Sequence, residues 1–321
     1  MFSRRLCLFG RIEYPENYRQ NMKLSICIPV FNFDVNDLVN DLQSQINSEN
    51  LDAEIILIDD ASNQEFISIN ENIQAKVSQF IFLDKNIGRS KIRNLFLKYV
   101  QSEYLLFLDC DGKIISKTFL KNYIDFIKTK NPDVIFGGRK VSEEKPDSEY
   151  GLRWKFATER ENLPVSQRLK APYLDFQTNN FVVKKSVLEK VPFNEGIMQY
   201  GYEDLVFSKD LQDHQIKIDH IDNAIFNNDV ETNVVFLSKA DQSAKSLAQL
   251  IKNDNNFQRV SQIRLAKAYL ILKKTGGIFI YNLIYKWSKS YITKKLLGGN
   301  ASLKALDFYK LGQLIYYMNR S

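Results

Sequence analysis

The sequence predicts an α/β protein built on a mostly parallel sheet with helices on both faces. Two observations carry this. Five short apolar runs, rich in β-branched and aromatic residues and nearly free of charge, recur through the first two-thirds of the chain. Between them lie segments whose apolar residues recur at helical spacing, and such alternation is the mark of βαβ units.

The runs are "LSICIPV" (24–30), "EIILI" (54–58), "QFIFL" (79–83), "YLLFL" (104–108) and "VIFGG" (134–138). Strands so uniformly apolar read as covered on both faces. Leu38, Leu42 and Ile46 mark the first intervening helix, and Ile92, Leu95, Phe96, Tyr99 and Val100 mark another. Leu120, Tyr123, Ile124 and Ile127 mark a third, which Ser116 is placed to cap.

At 321 residues and 44% hydrophobic content, the chain has enough apolar mass for one large domain and an appendage. Its three cysteines, Cys7, Cys27 and Cys110, have no metal-ligand spacing. Cys27 and Cys110 fall in apolar strands, which suits small buried residues in a reducing compartment. No apolar run reaches the ~20 residues of a membrane span. Arg4 and Arg5 precede only "LCLFG", which is short for a signal peptide. Residues 1–21 therefore read as an N-terminal extension, with Met22 an alternative start. The net charge of +6 is unevenly distributed: from Arg264 onward eleven Lys and Arg face the single Asp307. A tail of +10 thus follows a body of about −4.

In parallel sheets, ligands bind beyond the carboxyl ends of the strands. The residues just past each run are Phe31 and Asn32, then Asp59, Asp60, Ala61 and Ser62. Asn86, Ile87, Gly88, Arg89 and Ser90 follow the third run, and Asp109 and Asp111 the fourth. All four sets should meet at one edge. An Asp before Gly112 is ordinary turn chemistry, but its convergence with three other polar loops favours a site. In "NIGRSKIRN" (86–94), Gly88 permits a close approach and the helix start offers free N–H groups to an anion. Arg89 and Arg93, four apart, share a face from which either is placed to fork onto a diphosphate.

Two families match "YLLFLDCDG". One is the haloacid-dehalogenase-type phosphatases, whose nucleophile strand opens their fold; here three strands precede it, and no later Gly-Asp-x-x-x-Asp loop occurs. The other explains more of the chain. "LSICIPVFN", "IILIDDAS", "NIGRSKIRN", "YLLFLDCD" and "PFNEGIMQYGYEDLVF" (192–207) resemble, in order, the motifs of family-2 glycosyltransferases with the GT-A (Rossmann-like) fold. The resemblance covers residues 22 to 235 and is nearest to bacterial enzymes of surface-polysaccharide synthesis. It implies an inverting transferase that moves a sugar from a nucleoside-diphosphate sugar, a UDP-sugar foremost, to a hydroxyl of a glycan or lipid-linked acceptor.

The resemblance also implies site residues. Pro29, Val30 and Phe31 line the base pocket, Asp59 contacts the base with Asp60 beside it, and Asn86, Gly88, Arg93 and Asp109 complete the donor nucleotide site. Asp109 and Asp111 hold Mn²⁺ or Mg²⁺ against the diphosphate, since hard cations prefer carboxylate oxygen. Asp204 is the catalytic base and Glu203 positions the acceptor. Asn179 or Asn180, in "TNNFVVKKSVL" (178–188), lies near the donor sugar, and the charged residues 140–172 suit an acceptor loop. Where related sequences carry a metal-ligating His after the strand "HIDNAIF" (220–226), this chain has Asn227 and Asn228. The third ligand is then Asn227 or water, and His220 is structural. A binding protein with impaired turnover is the non-enzyme alternative.

Residues 236–321 lie beyond the resemblance and read as a basic helical region. "IFIYNLIYKWSKSYITKKLL" (278–297), bracketed by Gly276/Gly277 and Gly298/Gly299, forms a helix with Asn282, Lys286, Lys289 and Thr293 along one stripe. Tyr281, Ile284, Trp287, Tyr291 and Ile292 occupy its other faces. Such a helix suits the inner face of a cell membrane, or packing on the catalytic domain or a second subunit as a homodimer. Nucleic acid is excluded as a partner, because the basic residues sit among bulky aliphatics and match no reader motif. The place of action read from these features is the cytoplasm, peripheral to the membrane.

Overall fold

The computed structural model of the chain describes residues 23–196, 201–227, 231–253, 260–261, 263–298 and 302–320. The expected extension 1–21, with Cys7, Met22, Asn228 and Gly299, lies outside the described residues.

The elements follow the predicted alternation. Strands β1 (Leu24–Val30), β2 (Ala53–Asp59), β3 (Gln79–Phe82) and β4 (Tyr104–Leu108) alternate with helices α1 (Asn36–Ser48), α2 (Gln64–Asn70) and α3 (Arg89–Leu95). Then come β5 (Gly112–Lys113), α4 (Phe119–Lys130), β6 (Val134–Phe136) and β7 (Arg139–Lys140). Short helices α5 (Gly151–Phe156) and α6 (Val165–Arg168) lead to β8 (Asn180–Lys184) and α7 (Lys185–Lys190). The chain continues through α8 (Glu203–Asp213), β9 (Ile218–His220), β10 (Ile225–Asn227) and α9 (Asn233–Lys252). It ends in α10 (Arg264–Lys274), α11 (Ile278–Leu297) and α12 (Leu303–Met318).

The main sheet has seven strands in the order β3-β2-β1-β4-β8-β6-β9. Strands β1 to β4 pair in parallel, so their carboxyl ends share one edge. Side chains alternate between two cores as the period of a strand requires. Leu24, Ile26, Ile28, Leu57, Leu106 and Leu108 face α1 and α4, while Cys27, Ile56, Ile58, Leu105 and Phe107 face the opposite core. That second core is aromatic, with Phe107 stacked on Phe181 and Phe193 on Phe207.

Four details correct the sequence reading, and the place of β8 adds to it. Strand β3 is a sheet edge, partly exposed rather than covered, with Phe82 open to solvent. Strand β8 enters the centre of the sheet antiparallel to both β4 and β6. "HIDNAIF" is two strands, β9 in the main sheet and β10 in a three-stranded sheet ordered β5-β10-β7. Ser116 does not cap α4; its hydroxyl accepts from Thr118 N–H, and Gln45 Oε1 of α1 accepts from Leu120 N–H instead. Cys110 lies in the turn after β4, packed against the core, whereas Cys27 is buried within β1 as expected.

The last four helices form a layer of their own. Helix α12 packs along α9 and α11. Its Gly312 is a packing requirement, since a Cβ there would stand 2.3 Å from the Tyr285 ring. Arg160 clamps this layer to the segment after α5 with two 2.7 Å hydrogen bonds to Asp307.

Candidate active site

The carboxyl edge of β1 to β4 gathers the polar loops. After β2, Asp59 Oδ1 accepts from Ser62 N–H at 2.7 Å, and Ser62 Oγ accepts from Asn32 N–H at 2.8 Å. Ala61 between them is held at φ 61°, a left-handed conformation costing a residue with a Cβ roughly 1 kcal/mol. Asp59 is buried and its Oδ2 has no hydrogen-bond partner. Phe31, by contrast, is exposed beside it, with Pro29 and Val30 inside β1.

Asp60 turns the other way. Its two carboxylate oxygens accept from Ile87 N–H at 2.7 Å and Gly88 N–H at 3.0 Å, and its carbonyl accepts from Asn86 Nδ2. Burial pushes the Asp60 carboxyl above its ordinary range, against the two amides, which pull it down. The geometry makes Asp60 the post that shapes the 86–88 loop, where Gly88 takes φ 84° before helix α3.

From α3, the two arginines diverge. Arg93 is buried, donates to Asp109 Oδ1 at 2.8 Å and to Arg89 O at 3.2 Å, and lies over the Phe193 ring. Arg89, half-exposed, donates to Glu203 Oε1 at 3.1 Å. The two do not share an outward face for a diphosphate; each braces a carboxylate.

Asp111 points elsewhere from Asp109 and accepts from Asn227 Nδ2 at 2.8 Å across the β5–β10 pair. Burial and the charge of Asp109 push Asp111 above its ordinary range, against Asn227, Arg139 and Arg89. Two carboxylates one residue apart, only one of them salt-bridged, leave the strand tip short of positive charge. Among the described residues no three His, Cys, Asp or Glu side chains gather as a metal cluster. The donor set is therefore two carboxylates and an amide, which fits a hard divalent cation completed by phosphate and water.

The Glu-Asp pair opens α8 after two left-handed residues, Gly201 at φ 102° and Tyr202 at φ 73°. Glu203 is pinned by Gly201 N–H at 2.9 Å and by Arg89. Asp204 Oδ1 accepts from Thr178 Oγ1 at 2.5 Å. Burial first, then Glu203 and Asp109, push Asp204 up to about 6, with Arg93 and Thr178 pulling it down. One electrostatic row therefore links Asp109, Arg93, Asp204, Glu203 and Arg89.

Thr178 went unnoticed in the sequence, because nothing local announces a partner 26 residues away. Arg139 was missed likewise; it meets Glu161, which also takes Arg153, and Arg139 lowers Asp111. Asn179 and Asn180 differ in their hydrogen bonding. Asn180 is saturated by Tyr123, Gly138 and Asn223, while the buried Asn179 side chain has no partner for either amide atom. Asn179 O accepts from Asp109 N–H, so that amide stands next to the strand tip. His220 is structural: its Nε2 meets Pro172 O, and burial with Arg168 lowers it to about 4.

Comparison with known proteins identifies the family and the fold. Residues 25–196, more than half of the chain, match the model of Glycosyl transferase family 2. The chain belongs to that family. Over 92% of its length and 87% of the relative's, it is 26% identical to a cholesterol galactosyltransferase of Borreliella burgdorferi. It is 33% identical to the Staphylococcus aureus poly(ribitol-phosphate) beta-N-acetylglucosaminyltransferase TarS over 121 residues, 36% of this chain and 20% of TarS. Against the S. aureus TarS 1–349 structure the fold superposes with a TM-score of 0.51 at 18% identity, covering 92% of this chain and 89% of that one. A mannosyltransferase from Pyrobaculum calidifontis, in complex with GDP-Man and Mn²⁺, gives 0.53 at 12% identity over 92% and 84%. The chain is a family-2 glycosyltransferase of the GT-A fold, similar also to a minor teichoic acid biosynthesis protein of Bacillus subtilis, and the phosphatase reading is excluded.

Proposed function

We propose that this glycosyltransferase inverts the anomeric centre, transferring a sugar from a UDP-sugar to a hydroxyl of a glycan or lipid-linked acceptor. The observation that carries the reading is Asp204: a half-buried carboxylate raised to about 6, beside the Arg93–Asp109 pair. A base of that strength is charged at neutral pH yet takes a proton more readily than an ordinary carboxylate. The acceptor O–H gives its proton to Asp204 as its oxygen forms the new bond to the anomeric carbon. The bond from that carbon to the diphosphate breaks with its electron pair, and UDP leaves.

The remaining roles follow from the side chains. Asp59 turns its unpartnered Oδ2 to the base, against which Phe31 packs. Asp60 and Gly88 set the loop that meets the diphosphate, and Arg93 orients Asp109. Glu203, fixed at both oxygens, shapes the acceptor side, and Asn179 meets the donor sugar. Asp109 and Asp111, with Asn227 orienting Asp111, hold Mn²⁺ or Mg²⁺; that ion supplies charge neutralisation for the departing diphosphate. Solved relatives in complex with UDP, and with Mn²⁺ and UDP, support the choice of donor and ion. The catalytic unit is residues 22–235, whose end falls in the first turn of α9. The site of action is cytoplasmic, at a membrane face where lipid-linked acceptors lie. The full-length relative named for cholesterol galactosylation favours a lipid acceptor.

The test is a UDP-release screen over UDP-sugars with Mn²⁺, followed by NMR of the product's anomeric proton. Inversion relative to the donor is expected. A retained configuration would overturn the assignment of Asp204, and donor binding without UDP release from the donor, whatever acceptor is added, would favour the binding-protein alternative.

A further inference from the structure

Helix α11 is apolar on two opposite faces. One face carries Tyr281, Tyr285, Ile292 and Leu296 into the helical layer, where Tyr285 fills the space left by Gly312. The opposite face carries Phe279, Ile280, Leu283, Ile284, Trp287 and Tyr291, every one of them exposed. Their spacing of three and four residues sets them along one stripe, with Trp287, 82% exposed, at its middle. Nothing in a lone globular protein calls for six large apolar side chains in a row on its surface.

The flanks of that stripe are basic. Lys286, Lys294 and Lys295 are exposed on the same helix, and Lys273 and Lys274 end the preceding helix α10. A groove of about 600 Å³ lined by Lys286, Lys289, Ser290, Thr293, Lys294 and Leu297 runs beside it. Asp307, the one acidic residue beyond Arg264, is tied to Arg160 rather than to a lysine of α11. The helix is not a membrane span, since no helix among the described residues is long and apolar enough to cross a bilayer.

We infer that α11 is the docking helix for an anionic bilayer surface, lying in its plane with the Phe279–Trp287–Tyr291 stripe in the acyl boundary and the lysines on headgroup phosphates. Charge decides between occupants. A second copy would bring two +10 tails together, and their repulsion opposes a homodimer through this face. A bilayer rich in anionic lipid supplies the complementary charge and accepts aromatic rings at its interface. The inference gives the membrane contact of the proposed function a residue-level surface, and it stands or falls apart from the transfer chemistry.

The experiment uses the full chain with Trp154→Phe, which leaves Trp287 as the single tryptophan reporter. Vesicles of phosphatidylglycerol and phosphatidylcholine should shift Trp287 emission to the blue, and brominated acyl chains should quench it; pure phosphatidylcholine should do far less. Replacing Lys286, Lys294 and Lys295 together by Ala should weaken the anionic partition roughly a hundredfold. Added salt should weaken the wild type likewise. UDP affinity in the absence of vesicles should stay unchanged in that variant, so a failed transferase reading shows itself separately. Unquenched Trp287 would overturn the inference, as would equal binding to neutral vesicles. Trp287 burial in a concentration-dependent dimer would assign the face to a second copy instead.

Discussion

Arg93 and Asp109 form a 2.8 Å ion pair in which the guanidinium is 2% exposed and the carboxylate 28%. The pair fastens the last turn of α3 to the tip of β4, and Asp204 feels the same cation. One buried charge therefore holds the strand-tip carboxylate in place and tunes the carboxylate proposed as base. Arg93→Met should cost roughly 3 kcal/mol of stability, because Asp109 is left uncompensated beside Asp111. The acid limb of kcat should move above its wild-type position, since the group that lowers Asp204 is gone. Urea unfolding and a pH profile measure both. Adding Asp109→Asn should recover part of the stability; strict additivity of the two losses would refute the pairing argument.

Asp204→Asn separates chemistry from folding. Single-turnover transfer at saturating donor should fall ~10²–10⁴-fold while UDP affinity barely moves. Stability should respond with the opposite sign. Asp204 is raised to about 6 in the folded chain, so its contribution is present below the unfolded carboxylate range near 4 and is lost as pH rises through 6. Above pH 7 the charge therefore weakens the fold, and the Asn variant should be more stable there, by at most about 3 kcal/mol, and melt at a higher temperature. A lower melting temperature at pH 7.5 would count against the raised carboxylate.

The pH dependence of turnover follows from the same group. Wild-type kcat should fall below pH 6 with the slope of one proton, because protonated Asp204 cannot accept another. A flat profile from pH 5 to 8 would remove Asp204 from the proton transfer.

Asp111→Asn addresses the cation. The variant keeps the shape that receives Asn227 but lowers the charge of the strand tip. Calorimetry should find UDP binding with Mn²⁺ weakened at least tenfold, with metal-free binding much less affected. Unchanged metal-dependent affinity in a folded variant would falsify the assignment.

Asn179→Leu tests the orphaned amide. An unsatisfied buried amide costs about 1–3 kcal/mol, so an apolar side chain of similar size should leave the unliganded protein as stable or more so. Binding of UDP-sugar should weaken while that of UDP does not. Equal losses for both ligands would move Asn179 away from the sugar.

The parallel strands β1, β2 and β4 and the order of the motifs were legible in the sequence, for a physical reason. A strand buried on both faces must be apolar throughout, and a ligand at its end must be met by polar residues just beyond. Both demands are local, so "IILIDDAS" and "YLLFLDCD" state them in the chain itself. The same holds for α11, whose bounds Gly276/Gly277 and Gly298 mark, and for the +10 charge beyond Arg264.

What only the tertiary structure decided depends on partners far apart in the chain. Strand β8 carries a short apolar run between Asn180 and Lys184, yet its antiparallel place between β4 and β6 is set by which edges were left to pair. Asp59 and Asp60 are adjacent and chemically alike, but pleating sends one carboxylate to Ser62 and the other to the amides of Ile87 and Gly88. Arg89 and Arg93 share a helical face on paper, and packing buries one and leaves the other half-exposed. The two apolar sides of α11 look alike in the sequence. Packing against α9 and α12 covers one and leaves the Trp287 side open, because a helix in a single outer layer has neighbours on one side only.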